Sequence, residues 1–306
     1  MRLLIFIYII ISLIFNPLKA NSKKDPNSYK DLVDLFVKWR AFENPPLMNG
    51  APDYTKRRFD SAKKEFNSLQ KRLEKIDTTD WPIYYQVDWQ IVHAEMNGYD
   101  FNQRVLRPWV RDPAFYQTVW MYQSDVPAHE GPTNHGTLEF WTYEFPLDDE
   151  SSNNLANQLR MIPHFLFQAK GNLTGDARDL WVAGIENFKE QAENLGVIEA
   201  KIIKHHGNSL DRVLNNPLKK AIDANNDFIQ WLVDKAPSKK GPSGIGKENY
   251  SWYQKNVHLV PLSWEEEVSL LQRELDRAWS SLKMEEHLNR NLPPMVSAKT
   301  EKEFDI

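Results

Sequence analysis

Apolar residues recur at alternating steps of three and four along most of this chain, the spacing that gathers them on one face of an α-helix. Phe59, Ala62, Phe66, Leu69, Leu73 and Ile76 draw such a stripe over a helix from about Asp53 to Ile76, with Lys63, Lys64 and Lys71 on the opposite face. Ala177, Trp181, Ile185, Phe188, Ala192 and Leu195 repeat it, with Thr174 placed as N-cap and Gly196 as the residue just past the C-terminus. Asn216-Pro217 opens another helix, since proline at the first helical position loses no hydrogen bond. Leu218, Ala221, Phe228 and Leu232 form its inner face, and it should stop near Ala236-Pro237. The best specified helix follows Ser263, which makes a capping box with Glu266; Trp264, Val268, Leu271, Leu275, Trp279 and Leu282 predict its buried stripe. Weaker helical patterns cover Ser28 to Glu43 and Trp81 to Met96.

Between Gln103 and Asp149 the rhythm breaks, with Pro108, Pro113, Pro127, Pro132 and Pro146 spread among aromatic residues. This reads as irregular structure, with a short strand over Phe140 to Glu144 as its one regular candidate. The expected fold is therefore mainly α: a multi-helix array of antiparallel helices, an irregular segment rich in proline and aromatics, and at most a short β-hairpin. Near the end, Thr300 and Glu303 form a second capping box, yet only a few residues follow before Ile306. So short a helix has no independent stability, which leads us to expect either a frayed tail or sequence continuing past this point.

Arg2, the uncharged apolar run from Leu3 to Phe15, Pro17 and the small Ala20 predict a secretory signal peptide over residues 1–20, followed by a helical region over 21–306. The apolar run is too short to span a bilayer, so no stable membrane span is expected after cleavage. The chain contains no cysteine, so disulfides and an N-terminal lipid-bearing cysteine are both excluded from the expectation. The predicted location is periplasmic or secreted, not as a lipoprotein. Losing Arg2 and Lys19 with the leader takes the formal charge from −4 to −6, which argues against a nucleic-acid partner.

The chemistry concentrates after Lys240. Gly241, Gly244 and Gly246 permit positive φ and close backbone approach, and Lys247, Asn249, Tyr250, Trp252, Tyr253 and His258 supply polar and stacking groups on what reads as a loop. These six are the candidate substrate-binding residues. Gly241-x4-Gly246-Lys247 comes near a phosphate-binding P-loop, but Glu248 stands where the metal-binding Ser or Thr is needed. His129, Glu130 and His135 lack the i, i+4 spacing of a helical zinc motif, His205 and His206 suit a helix end, and Asp148 and Asp149 read as loop carboxylates without partners. No catalytic residue, metal ligand or cofactor is assigned. Among the tryptophans, Trp181, Trp264 and Trp279 fall on inner stripes, leaving Trp252 as the exposed candidate for stacking.

Three segments carry a family resemblance: IPHFLFQAKGNLTGDARDLWVAGIENF from Ile162, KAPSKKGPSGIGKENYSWYQKNVHLVPLSWEEE from Lys235, and LLQRELDRAWSSLKMEEHLNRNLPP from Leu270. They resemble the bacterial family known as domain of unknown function 885 (DUF 885), from about Phe36 onward. The resemblance implies a longer exported protein similar to gluzincin zinc metallopeptidases, whose C-terminal half carries a helical HExxH-like motif. That motif is absent here, so this chain corresponds to the N-terminal portion and should not hydrolyse peptides by itself. Its expected partners are a peptide-like substrate or the missing C-terminal half, with zinc expected only in full-length members. A large exposed apolar patch should mark the absent half. Two other readings compete: a peptide- or protein-binding scaffold without chemistry, and a carbohydrate-binding α/α protein using Trp252 and Tyr253.

Overall fold

The computed structural model describes residues 28–123, 134–206 and 213–293. The leader, His129, Glu130, the side chain of His206 and the capping box at Thr300 lie outside what is described. The chain is mainly α, as its apolar spacing predicts. In order it forms α1 (Tyr29–Glu43), β1 (Leu47–Met48), β2 (Ala51–Pro52), α2 (Lys56–Glu74), α3 (Ile83–Phe101), α4 (Pro108–Arg111), β3 (Val119–Trp120) and β4 (Leu138–Glu139). The long helices α5 (Asp149–Asn172), α6 (Arg178–His206) and α7 (Asn215–Lys235) follow, then α8 (Lys247–Asn256) and α9 (Trp264–Leu288).

Two compact units divide the described residues, one made of residues up to Asn44 with Asp60–His93, the other of Pro45–Phe59 with everything from Ala94. In the first, α1 buries Leu32, Leu35, Trp39 and Phe42, and α2 buries Ala62, Phe66, Leu69 and Leu73, the predicted stripe. The rings of Trp39 and Phe42 meet Phe66 at 6.0 and 6.1 Å. At the other end of α1, Tyr29 stacks on Tyr85 at 3.6 Å and donates its hydroxyl to Asp88 at 2.6 Å.

The second unit is built around α5, α6 and α7. Leu155, Leu159, Ile162, Phe165, Trp181, Phe188, Phe228 and Leu232 are fully enclosed, and Phe188 meets Phe228 edge to face at 4.7 Å. Against this bundle lies the irregular segment, which is held by side chains of the helices. Gln191 of α6 accepts the backbone N–H groups of Thr118 and Val119 at 2.7 and 3.0 Å. Its amide then donates to Asn225 of α7, which donates to the carbonyl of Phe188. Gln168 of α5 does the same for the residues after β2, accepting from the N–H of Tyr54 at 2.7 Å and donating to Pro52 O at 3.0 Å. Each glutamine presents its planar amide as a neighbouring strand would, so buried backbone groups find partners without a sheet.

The structure corrects several expectations. α6 does not stop at Gly196; it continues because Ile198 and Ile202 extend the buried stripe, and a mid-helix glycine costs only about 1 kcal/mol. Thr174 precedes the start of α6 by four residues and does not cap it. The strand expected over Phe140 to Glu144 begins and ends earlier, as β4, which pairs in parallel with β3, and Phe140–Thr142 is a 3₁₀ turn. The hairpin forms elsewhere, at β1 and β2, turned by Asn49 (φ 54°) and Gly50 (φ 83°). Asn-Gly is the strongest short hairpin signal in a sequence. Asp148 is no idle loop carboxylate: it caps α5 by accepting the N–H of Ser151 at 2.8 Å, and these hydrogen bonds hold its carboxyl below the usual carboxylate range.

Candidate functional site

The glycine segment is tied down on both sides. Arg178 N donates to Gly241 O at 3.1 Å, and Lys240 N donates to the carboxylate of Asp176 at 2.7 Å. Ser243 accepts the N–H of Asp179 at 2.8 Å, so α6 takes its N-terminal cap from a segment 64 residues later. Arg111, at the end of α4, donates to the carbonyls of Pro242 and Ser243 at 3.2 and 2.9 Å. Lys239 donates to Gly175 O at 2.7 Å and stands 4.1 Å above the Trp181 ring; burial lowers the pKa of its ammonium, opposed by the charge of Asp176.

Two of the three glycines are used as their lack of a side chain allows. Gly246 has φ 82° just before α8, and a Cβ on Gly241 would lie 2.5 Å from the Asp176 carbonyl oxygen. Gly241→Ala is therefore expected to push the segment off the start of α6 and to cost about 1–3 kcal/mol of stability, as overpacking does. Gly244→Ala, with open space around it, is the matched control. Equal thermal midpoints for the two variants would contradict this.

From Lys247 the chain is helix α8, not the loop that three glycines suggested. The six candidate residues consequently divide between its faces. Trp252 stacks flat on Phe101 of α3 at 5.4 Å with an interplanar angle of 7°, and the Arg104 guanidinium covers its ring at 5.3 Å. It is half-buried rather than the freely exposed platform expected. Tyr253 also meets Phe101, at 4.9 Å, and burial raises its hydroxyl pKa. Tyr250 donates to Glu267 of α9, a bond that raises the Tyr250 pKa. Lys247 lies 3.8 Å over the Trp264 ring, Asn249 donates to Ile245 O at 2.8 Å, and His258 shares a hydrogen bond of 3.1 Å with Gln254. These residues are brought together, but mainly to dock α8 between α3 and α9. Asn249 alone among them lines the adjoining cleft.

That cleft, about 530 Å³, lies between the glycine segment and the turn joining α3 to α4. Its walls include Arg104, Arg107, Arg111 and Asp176, none of which stands out in the sequence as a site residue. The spacing of the three arginines by three and four gives no usable signal, because a π-turn ends at Leu106 and Arg107 is left-handed (φ 44°), so the three do not share one helix face.

Helix α9 departs most from expectation. Its capping box is formed as predicted, with Glu266 N donating to Ser263 at 3.2 Å and Ser263 N to Glu266 at 2.7 Å. Its stripe is not buried: Leu271 is 65% exposed, Leu275 51% and Trp279 53%. Val268, Leu282, Met284 and Leu288 are open as well. Among the described residues, no group of three or more His, Asp or Glu side chains is placed to hold a metal ion, and no helix is long and apolar enough to cross a membrane.

No family model matches this chain, and no curated protein does. A solved structure described as "a putative lipoprotein of unknown function from Shewanella oneidensis" is similar, with a TM-score of 0.56 and 14% identity. The match covers 91% of this chain and 50% of that one, so the chain spans about half of its neighbour's length. At this identity the likeness is one of fold.

Proposed function

We propose that this chain is the N-terminal, cleft-forming part of an exported zinc-peptidase-like protein of the DUF 885 family, inactive without a second half that bears the metal. The observation that carries the reading is the open apolar stripe of α9. A helix with a complete capping box and a continuous apolar face is specified to pack against something. A fold neighbour whose chain is about twice as long, described as a lipoprotein and so of an exported class, is consistent with a second half and with export. In this reading α8 and the glycine segment form one wall of a substrate cleft. Lys247, Asn249 and His258 offer polar groups near its rim, and Trp252 and Tyr253 hold the wall to α3. The substrate is peptide-like, and zinc belongs to the other half.

The test is the DNA following the codon for Ile306, together with a metal and activity assay. A continuing or frameshifted frame encoding HExxH is the expected result, and the purified chain should hydrolyse no peptide with or without added zinc. Stoichiometric zinc in this chain, or zinc-dependent hydrolysis by it, would overturn the reading.

A further inference from the structure

The cleft beside the glycine segment has a charge and shape of its own. Its walls carry three guanidinium groups against one carboxylate, Asp176. That carboxylate is already engaged, accepting the N–H of Lys240 at 2.7 Å beside the Lys239 ammonium. Arg104 is paired with Asp100. Arg111 donates its hydrogen bonds to neutral carbonyls of the glycine segment and the α3–α4 turn, which orient its guanidinium, while its charge also acts on the neighbouring Asp112 carboxylate. Arg107 is exposed at the cleft's edge, and its guanidinium has no partner among the described residues.

The backbone fixes where Arg107 stands. It follows a five-residue π-helical turn, Asn102–Leu106, and sits at φ 44° and ψ 54°, a left-handed conformation that non-glycine residues seldom adopt. Its carbonyl accepts the N–H groups of Val110 and Arg111, and its own N–H donates to Asn102 O at 2.8 Å. The strained position is thus held from both directions, and Pro108 immediately after it opens α4. Such devices cluster where a side chain must be aimed. Opposite, the N–H groups of Gly244 and Ile245 have no protein partner among the described residues. Apart from Asn249, whose amide donates to Ile245 O, the remaining side chains of the lining are apolar, among them Val105, Val110, Ala177 and Ile245.

We propose that this cleft binds a carboxylate borne on an aliphatic group, namely the C-terminal residue of a peptide. Arg107 supplies the charge-assisted hydrogen bonds, Arg111 adds positive potential from behind the loop, and the aliphatic lining takes the last side chain. A phosphate would use the guanidinium groups but leave the apolar lining without a role. That the carboxylate comes from a peptide rests on the function proposed above; the site itself does not.

Isothermal titration of the full chain with N-acetyl-leucyl-leucine, with its C-terminal amide and with inorganic phosphate tests this. The free acid should bind, and the amide should bind at least tenfold more weakly. Arg107→Ala should lower affinity for the acid at least tenfold with an unchanged thermal midpoint, because its side chain supports nothing else, and Arg107→Lys should recover part of the loss. Equal binding of acid and amide, tighter binding of phosphate than of the acid, no detectable binding of the acid, or an unaltered affinity in Arg107→Ala would overturn the site. If the acid binds but no HExxH-bearing sequence continues the gene, the carboxylate site stands and the peptidase reading falls.

Discussion

Replacing Gln191 with leucine is expected to cost the second unit about 4 kcal/mol, more than a typical substitution, although leucine fills nearly the same space. The side chain is fully enclosed. Its oxygen satisfies the N–H groups of Thr118 and Val119, and its nitrogen satisfies the Asn225 carbonyl oxygen. Leucine would leave all three buried and unpaired, at about 1–3 kcal/mol each. Urea unfolding followed by tryptophan fluorescence measures it. Thr118→Val provides the control, since it removes only the longer hydroxyl contact of 3.2 Å to the same oxygen and should cost about 1 kcal/mol. A loss near 1 kcal/mol in Gln191→Leu would mean that water replaces the amide and that the glutamine is not what holds the irregular segment to the helices.

The second large effect concerns association rather than stability. In a triple variant, Leu271→Lys, Leu275→Glu and Trp279→Arg, the unfolding free energy should change by less than about 1 kcal/mol, because all three side chains are more than half exposed and the new residues are good helix formers. Self-association should change strongly. The parent chain presents a stripe from Val268 to Leu288 that water covers poorly, so its sedimentation should shift to larger species as concentration rises. The variant should remain monomeric at concentrations at least tenfold higher, with the same helical circular dichroism. If a C-terminal half is recovered, it should bind the parent and not the variant. Monodisperse behaviour of the parent at every concentration would remove the case for a partner on this face.

Much of the helical framework was legible because its warrant is local and periodic. The stripes of α2 and α6, the inner face of α7 and the capping box of α9 each follow from residues a few positions apart, although α7 begins at Asn215 and Pro217 is its third residue rather than its first. What could not be read depends on distant partners. α8 reads as a loop because three glycines precede it; Phe101, which its aromatic face covers, lies about 150 positions earlier. α5 contains Pro163, a usual helix breaker, and bears it through packing on both sides by Leu159, Ile162 and Leu166. The same reason explains the site. Composition pointed to Lys247 through His258, whereas the cleft draws on arginines of the α3–α4 turn that only the fold brings to the glycine segment.

The two glutamines that stand in for strands also impose an order on biosynthesis. The N–H of Tyr54 is completed by Gln168, 114 residues later, and that of Thr118 by Gln191, 73 residues later. A two-stranded hairpin is marginal in water. As the chain emerges from the ribosome, the segment after β2 therefore waits with an open edge until α5 has been made. Its integrity is a property of the finished helices, and any lesion that delays α5 or α6 will be felt first in segments already synthesised.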